Sequence, residues 1–204
     1  MSAAPRRGRG RPPKSEGLFT ARALLDAAAE VCAERGFDGT TVVGVAERIG
    51  VSPAAVYNHY ANREDLLYAA AVHGLGRITR VSLRSLGDAE LGGGPGADPV
   101  PALASAYLRP EMRATRRLLA ELHLASARDE RLAALLAEWH RTWLEAMLAR
   151  LPAGNPAPKA TVKTIFLLLL GLCHYDDLPA VRAPRAQVAE LTERAFGALS
   201  AYDG

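Results

Sequence analysis

The chain has 204 residues, 49% of them hydrophobic and 23% charged, with a net charge of +3; that much apolar material builds a sizeable core and excludes a fibrous or wholly disordered protein. Its two cysteines, Cys32 and Cys173, lie far apart inside apolar stretches, which fits a reduced cytoplasmic protein better than a disulfide framework. The N-terminus has no apolar segment behind its basic residues, and the most apolar run, Ile165 to Cys173, is too short to cross a bilayer, so neither export nor membrane insertion is expected.

Residues 1–17 form a basic arm in which Arg6, Arg7, Arg9, Arg11 and Lys14 stand against Glu16 alone, so the arm carries +4 and the rest of the chain −1. With so few apolar residues it is expected to be disordered and suited to the electronegative surface of nucleic acid. Helical spacing then begins: Leu24, Leu25, Ala28, Val31 and Cys32 mark one face of a helix from Thr20 to Arg35, and Gly36 is its expected C-cap. Thr40 is placed to cap a short second helix with Val42, Val45, Ala46 and Ile49 inward. After Gly50, Ser52 followed by Pro53 reads as an N-cap with proline at the first helical position, opening a third helix to about Tyr60. Asn62, with Asp65 three residues on, opens a long fourth helix expected to reach Leu86, with Gly74 and Gly76 as its weak point.

Beyond a glycine-rich loop at 87–99, further helices are expected at about 100–109, 111–126, 129–151, 159–176 and 185–202, separated by prolines. Ile165 to Cys173 is apolar nearly all round, which asks for burial on several sides and makes the last two helices the expected dimer seam. The fold class is therefore all-α: a helix-turn-helix domain at 18–68, joined by a long helix to a larger helical domain at 69–204 that carries the expected dimer seam.

Two short helices separated by Gly50-Val51-Ser52 have the turn chemistry of a helix-turn-helix, whose second helix enters the major groove. The stretches Ala28-Ala29-Glu30, Glu34-Arg35-Gly36-Phe37, Thr40-Thr41-Val42, Val45-Ala46, Gly50-Val51-Ser52, Val56-Tyr57, Tyr60 and Arg63-Glu64-Asp65-Leu66-Leu67 occur in an order that resembles the DNA-binding domain of the tetracycline-repressor (TetR) family. The resemblance covers Thr20 to Ala71, about a quarter of the chain. It implies a sequence-specific regulator, a homodimer on a palindromic DNA operator, controlled by a small-molecule effector and most simply a repressor. It also implies no catalytic role and no cofactor.

Carried onto these residues, the resemblance implies that the third helix reads bases and phosphates while the starts of the second and fourth helices clamp the backbone. Thr40, Thr41 and Ser52 offer hydroxyls, Arg63 a charge, Ala54 and Ala55 close approach, and Tyr57, Asn58 and His59 donors to base edge or phosphate. Tyr60 is expected to pack on the first helix instead. The head itself, residues 18–68, has four arginines against seven carboxylates, a net of −3. The arm is then the natural supplement: Arg9-Gly10-Arg11-Pro12 resembles the core of an AT-hook, which places Arg9 and Arg11 in an A·T-rich minor groove.

In the larger domain Tyr107, Met112, His123, Trp139, Trp143 and Phe166 are the large side chains expected to face a ligand cavity, and few internal charges argue for a mainly apolar effector. Cys173-His174-Tyr175-Asp176-Asp177 contains metal-ligand types, but neighbours on a helix point apart, and His123 and His140 lack a known ligand spacing, so no metal is expected. Two competing readings are a hydrolase using the C-terminal histidines and carboxylates, which lacks any local catalytic motif, and an architectural A·T minor-groove binder led by the arm.

Overall fold

A computed structural model describes residues 20–92, 100–149, 158–172, 174 and 184–200. The basic arm with Arg9 and Arg11, residues 93–99 and 150–157, and Cys173 and Tyr175 to Asp177 lie outside the described residues. The described residues are helical throughout, in the order α1 (Ala21–Gly39), α2 (Val42–Arg48), α3 (Pro53–Tyr57), α4 (Arg63–Gly92), α5 (Val100–Leu108), α6 (Arg113–Ser126), α7 (Glu130–Leu148), α8 (Pro158–Leu172) and α9 (Arg185–Ser200), with a 3₁₀ turn, Pro110–Met112, leading into α6.

Local chemistry sets the ends of the first helices. Thr20 caps α1 through its hydroxyl, and Gly36, at φ 76°, breaks the helix where a positive φ is required, so the span to Gly39 is a long helical segment and a short one joined at a kink. The cap of α2 is Thr41, not Thr40: the Gly44 amide donates to the Thr41 hydroxyl at 3.0 Å, while the Thr40 hydroxyl donates back to the Gly36 carbonyl at 2.8 Å. Ser52 caps α3 as expected. That helix is shorter than expected, because Asn58 closes it and the amides of His59 and Tyr60 both turn back to the Val56 carbonyl.

Asn62 caps α4 by accepting from the Asp65 amide at 2.7 Å. The helix runs for 30 residues, or about 45 Å at 1.5 Å per residue, and passes through the first part of the stretch expected to be loop. Gly74 serves packing and not bending: a Cβ there would stand 2.6 Å from Cδ2 of Leu118 on α6. No helix among the described residues is long and apolar enough to cross a membrane.

Two cores result. The small one joins α1 to α4 through Leu24, Ala27, Ala28, Val31, Val42, Val45, Ala46, Val56, Leu66 and Ala70, with Tyr60 packed against it. The large one is built from Leu75, Ile78, Leu103, Tyr107, Met112, Leu118, Leu122, Trp139, Trp143 and their neighbours, and it reaches Ala29 and Cys32 on the far face of α1. Helix α1 therefore belongs to both cores. Burial pushes the Cys32 thiol up to about 12, so it behaves as a small apolar filler.

Candidate DNA-reading head and ligand cavity

Gly50 turns the chain between α2 and α3 at φ 69°, and the Val51 amide returns to the Ala46 carbonyl at 3.0 Å. With Ser52 and Pro53 fixing the first turn of α3, Val56 and Ala55 face the core and Ala54, Tyr57, Asn58 and His59 face solvent. Tyr57 is 53% exposed, an unusual state for a ring of that size unless something covers it. Thus the structure gathers Thr41, Ser52, Ala54, Tyr57, Asn58 and His59 on one accessible edge. It turns three expected contacts inward: Ala55 is buried at 9% exposure, Thr40 at 1%, and Arg63 is committed to the protein.

Arg63 holds the corner between α1 and α2. Its guanidinium donates to the carbonyl oxygens of Phe37, Thr40 and Asp38, pairs with Glu64 and lies over the Phe37 ring. A charge at a helix start is readable in sequence as a phosphate clamp; that the corner's unpaired carbonyls compete for it is visible only once the chain is folded. Arg48 is likewise engaged by Glu30 and Glu34, and Arg22 by Asp26. The acidity of the head is thus matched by internal pairing of its arginines.

The same corner is gripped from the larger domain. Glu121 on α6 accepts a hydrogen bond from the Phe37 amide at 3.0 Å, Arg128 pairs with Asp38 at 3.2 Å, and Arg131 on α7 pairs with Asp65 at 3.0 Å while lying 3.9 Å from the Tyr68 ring centroid. Glu121 had no sequence signal that set it apart from any other glutamate of an amphipathic helix.

Between α6, α7 and α8 lies a cavity of about 600 Å³ lined by His123, His140, Trp143, Leu144, Phe166 and Leu170, among others. Of the six side chains expected to line one, His123, Trp143 and Phe166 do so. Tyr107 and Met112 are instead core, 1% and 2% exposed, and Trp139 stands behind the lining with its ring against Phe166 and His140. The polar ends of both indoles are tied to α4: Trp139 Nε1 donates to Thr79 Oγ1 at 3.0 Å and Trp143 Nε1 to Ser82 Oγ at 3.3 Å. His123 and His140, seventeen residues apart on consecutive helices, meet with Nε2 atoms 3.1 Å apart. No group of three or more His, Cys, Asp or Glu suited to a metal occurs among the described residues.

A capped helix-turn-helix is a DNA-binding unit, here joined to an all-helical domain with a cavity. Residues 24–70 match the bacterial regulatory proteins of the tetR family. Over 55 residues the chain is 46% identical to an uncharacterized HTH-type transcriptional regulator, YdeS, of Bacillus subtilis (strain 168), a match spanning 27% of this chain and 26% of that protein. The whole fold is similar to a bacterial regulatory protein in the tetR family from Rhodococcus RHA1, at 26% identity and TM-score 0.61 over 86% of this chain and 97% of that one. It is also similar to the transcriptional regulator FadR from Bacillus subtilis in complex with stearoyl-CoA, at 16% identity and TM-score 0.65 over 89% and 98% of the two chains. The N-terminal helix-turn-helix region of the chain is thus that of the bacterial regulatory proteins of the tetR family.

Proposed function

We propose that the protein is a homodimeric repressor that reads a palindromic operator and is released when a mainly apolar small molecule enters the cavity between α6, α7 and α8. The observation that carries this reading is the tie between cavity and α4: Trp143 lines the cavity and its indole N–H is bonded to Ser82 of the helix whose other end is capped beside the reading edge. A ligand that shifts Trp143 therefore pulls on the helix that orients the head. The FadR structure, solved with stearoyl-CoA, supports a ligand-controlled reading for a protein of this fold.

In this reading Thr41, Ser52, Ala54, Tyr57, Asn58 and His59 meet the DNA, with Thr40, Ala55 and Arg63 shaping the edge from behind, and Arg9 and Arg11 adding minor-groove contact from the arm. Leu167 and Leu168 on α8 and Leu191 on α9, all exposed, support a dimer seam along those two helices. Two α3 helices must stand about 34 to 36 Å apart to enter successive major grooves, so a small tilt of α4 in each subunit breaks the match. Selection of bound fragments from genomic DNA, followed by footprinting, tests the reading: a symmetric protected site is expected, and diffuse A·T protection overturns it in favour of an architectural binder. Leu168→Glu is expected to give monomer or insoluble protein, with wild type dimeric by light scattering.

A further inference from the structure

The two imidazoles in the cavity are wired in a defined way. The Leu119 carbonyl lies 2.7 Å from His123 Nδ1 and only accepts, so that nitrogen carries a proton and His123 Nε2 is bare. His140 Nε2, 3.1 Å away, must then be the N–H that donates to it. The pair thus spends its one inward hydrogen on itself, between the rings of Trp139 and Phe166. Two charged side chains line the cavity among the described residues, Arg141 and Lys163, and both are cationic.

We propose that the effector is a mainly apolar monocarboxylic acid whose carboxylate inserts between His123 and His140 and takes up one proton from solvent as it binds. The proposal rests on the reading that this cavity holds the effector. The only bonds that change are to hydrogen: solvent or its buffer acid gives up one proton, and an N–H bond forms on the histidine pair. The incoming proton settles on His123 Nε2, the His140 Nε2–H turns from its neighbour to the ligand, and two charge-assisted N–H···O bonds replace one N–H···N bond. A carboxylate arriving without that proton would meet a bare nitrogen lone pair, and a carboxylate is acceptor-only.

The surrounding charges favour this occupant. From α8, Lys163 faces the cavity; from α7, Arg141 does so while held by Glu138 and Glu145 on the outer face. From α6, the nearby Glu121 is turned away to the Phe37 amide, and α4 offers the hydroxyls of Thr79 and Ser82 to the indoles. Burial, helped by the neighbouring His123, brings His140 down to about 4, so the His140 ring is neutral at pH 7.

The test is calorimetric titration of the full-length protein with decanoate, decanol and decylamine, in buffers of different ionisation enthalpy. Decanoate is expected to bind with uptake of about one proton, and its dissociation constant to rise with pH in step with that uptake, by up to about tenfold per pH unit. Decanol is expected to bind without uptake, and decylamine more weakly than either. His140→Phe keeps an aromatic ring against Phe166; it is expected to abolish the uptake and to weaken decanoate at least tenfold more than it weakens decanol. Decanoate bound with no proton uptake by the wild-type protein overturns the proposal whatever the variant does. If decanol still binds in that case, the cavity remains an effector site of different chemistry; if none of the three probes binds, the proposal and the cavity reading fall together.

Discussion

The head and the larger domain solve opposite problems with the same helical material. In the head, α2 and α3 are seven and five residues long, far below the length at which a helix is stable alone, so each is started by a side-chain cap and closed around valine and alanine. In the larger domain, helices of 14 to 30 residues carry the aromatic bulk, and the space they leave is a cavity and not a seam. Short helices leave no tolerance in the position of an exposed tyrosine; long ones tolerate a hole. The difference teaches where each kind of precision resides: in hydroxyl caps and turn glycines for the head, in indole bonds and ring packing for the larger domain.

The contrast breaks first at α1, which faces both cores. Removing Trp143, a core ring that also lines the cavity, by Trp143→Ala is expected to cost about 3 to 5 kcal/mol. Because Ala29 and Cys32 extend the same core onto α1, calorimetry is expected to show one transition moving to lower temperature. A separate, unshifted transition for the head would show that the two cores do not melt together.

Gly74→Val probes the contact of α4 with α6. The added Cβ meets Leu118, itself 1% exposed, and overpacking at such a site costs about 1 to 3 kcal/mol, read as a lower denaturant midpoint with unchanged slope. Were Gly74 a hinge and not a packing site, the substitution would leave stability alone and alter ligand response.

On the head, Tyr57→Ala and His59→Ala remove exposed groups, so stability should hold within about 0.5 kcal/mol. Operator affinity should fall by about 1 to 3 kcal/mol for a base contact, measured by gel shift or fluorescence anisotropy. Unchanged affinity in both variants would move the reading edge elsewhere. The caps are expected to give smaller effects: Ser52→Ala and Thr41→Ala should each cost about 1 kcal/mol of stability. Thr40→Val should affect packing at the α1 corner, because its hydroxyl serves Gly36.

The head was legible because its determinants are local. Ser52-Pro53, Gly36, Gly50 and Asn62 act within four residues of themselves, and the all-helical class, the order of helices and the edge carrying Tyr57 follow from them. What was misread depends on distant partners. Thr40 and Thr41 are both competent caps, and the choice is made by the Gly36 carbonyl that claims Thr40. Arg63 looked free for phosphate until the α1 corner supplied three carbonyls. Gly74 looked like a bend until Leu118 stood beside it. In the larger domain three of the six side chains expected to line a cavity do line this one, since bulk and apolarity mark a core side chain as readily as a cavity one. The meeting of His123 with His140 depends on the pairing of two helices and has no local signature.

The smallest expected effect separates the two regions by acid. The folded-state pKa of His140, about 4, lies below its ordinary 6.5, so the unfolded chain binds a proton first as pH falls. Its contribution is present in full above about pH 6.5 and is lost progressively between there and about 4. Because the ring is only half-buried, solvent screening reduces the loss between pH 7 and 5 to under about 1 kcal/mol. Restricting the comparison to that window matters, since Glu34 and Glu138, held below the ordinary carboxylate value by Arg48 and Arg141, protonate only at lower pH. Thermal midpoints at pH 7 and 5 should therefore fall further in the wild-type protein than in His140→Phe, by a degree or two on the scale of about 2 to 4 °C per kcal/mol. Equal falls in the two proteins would place the acid-sensitive group outside the cavity.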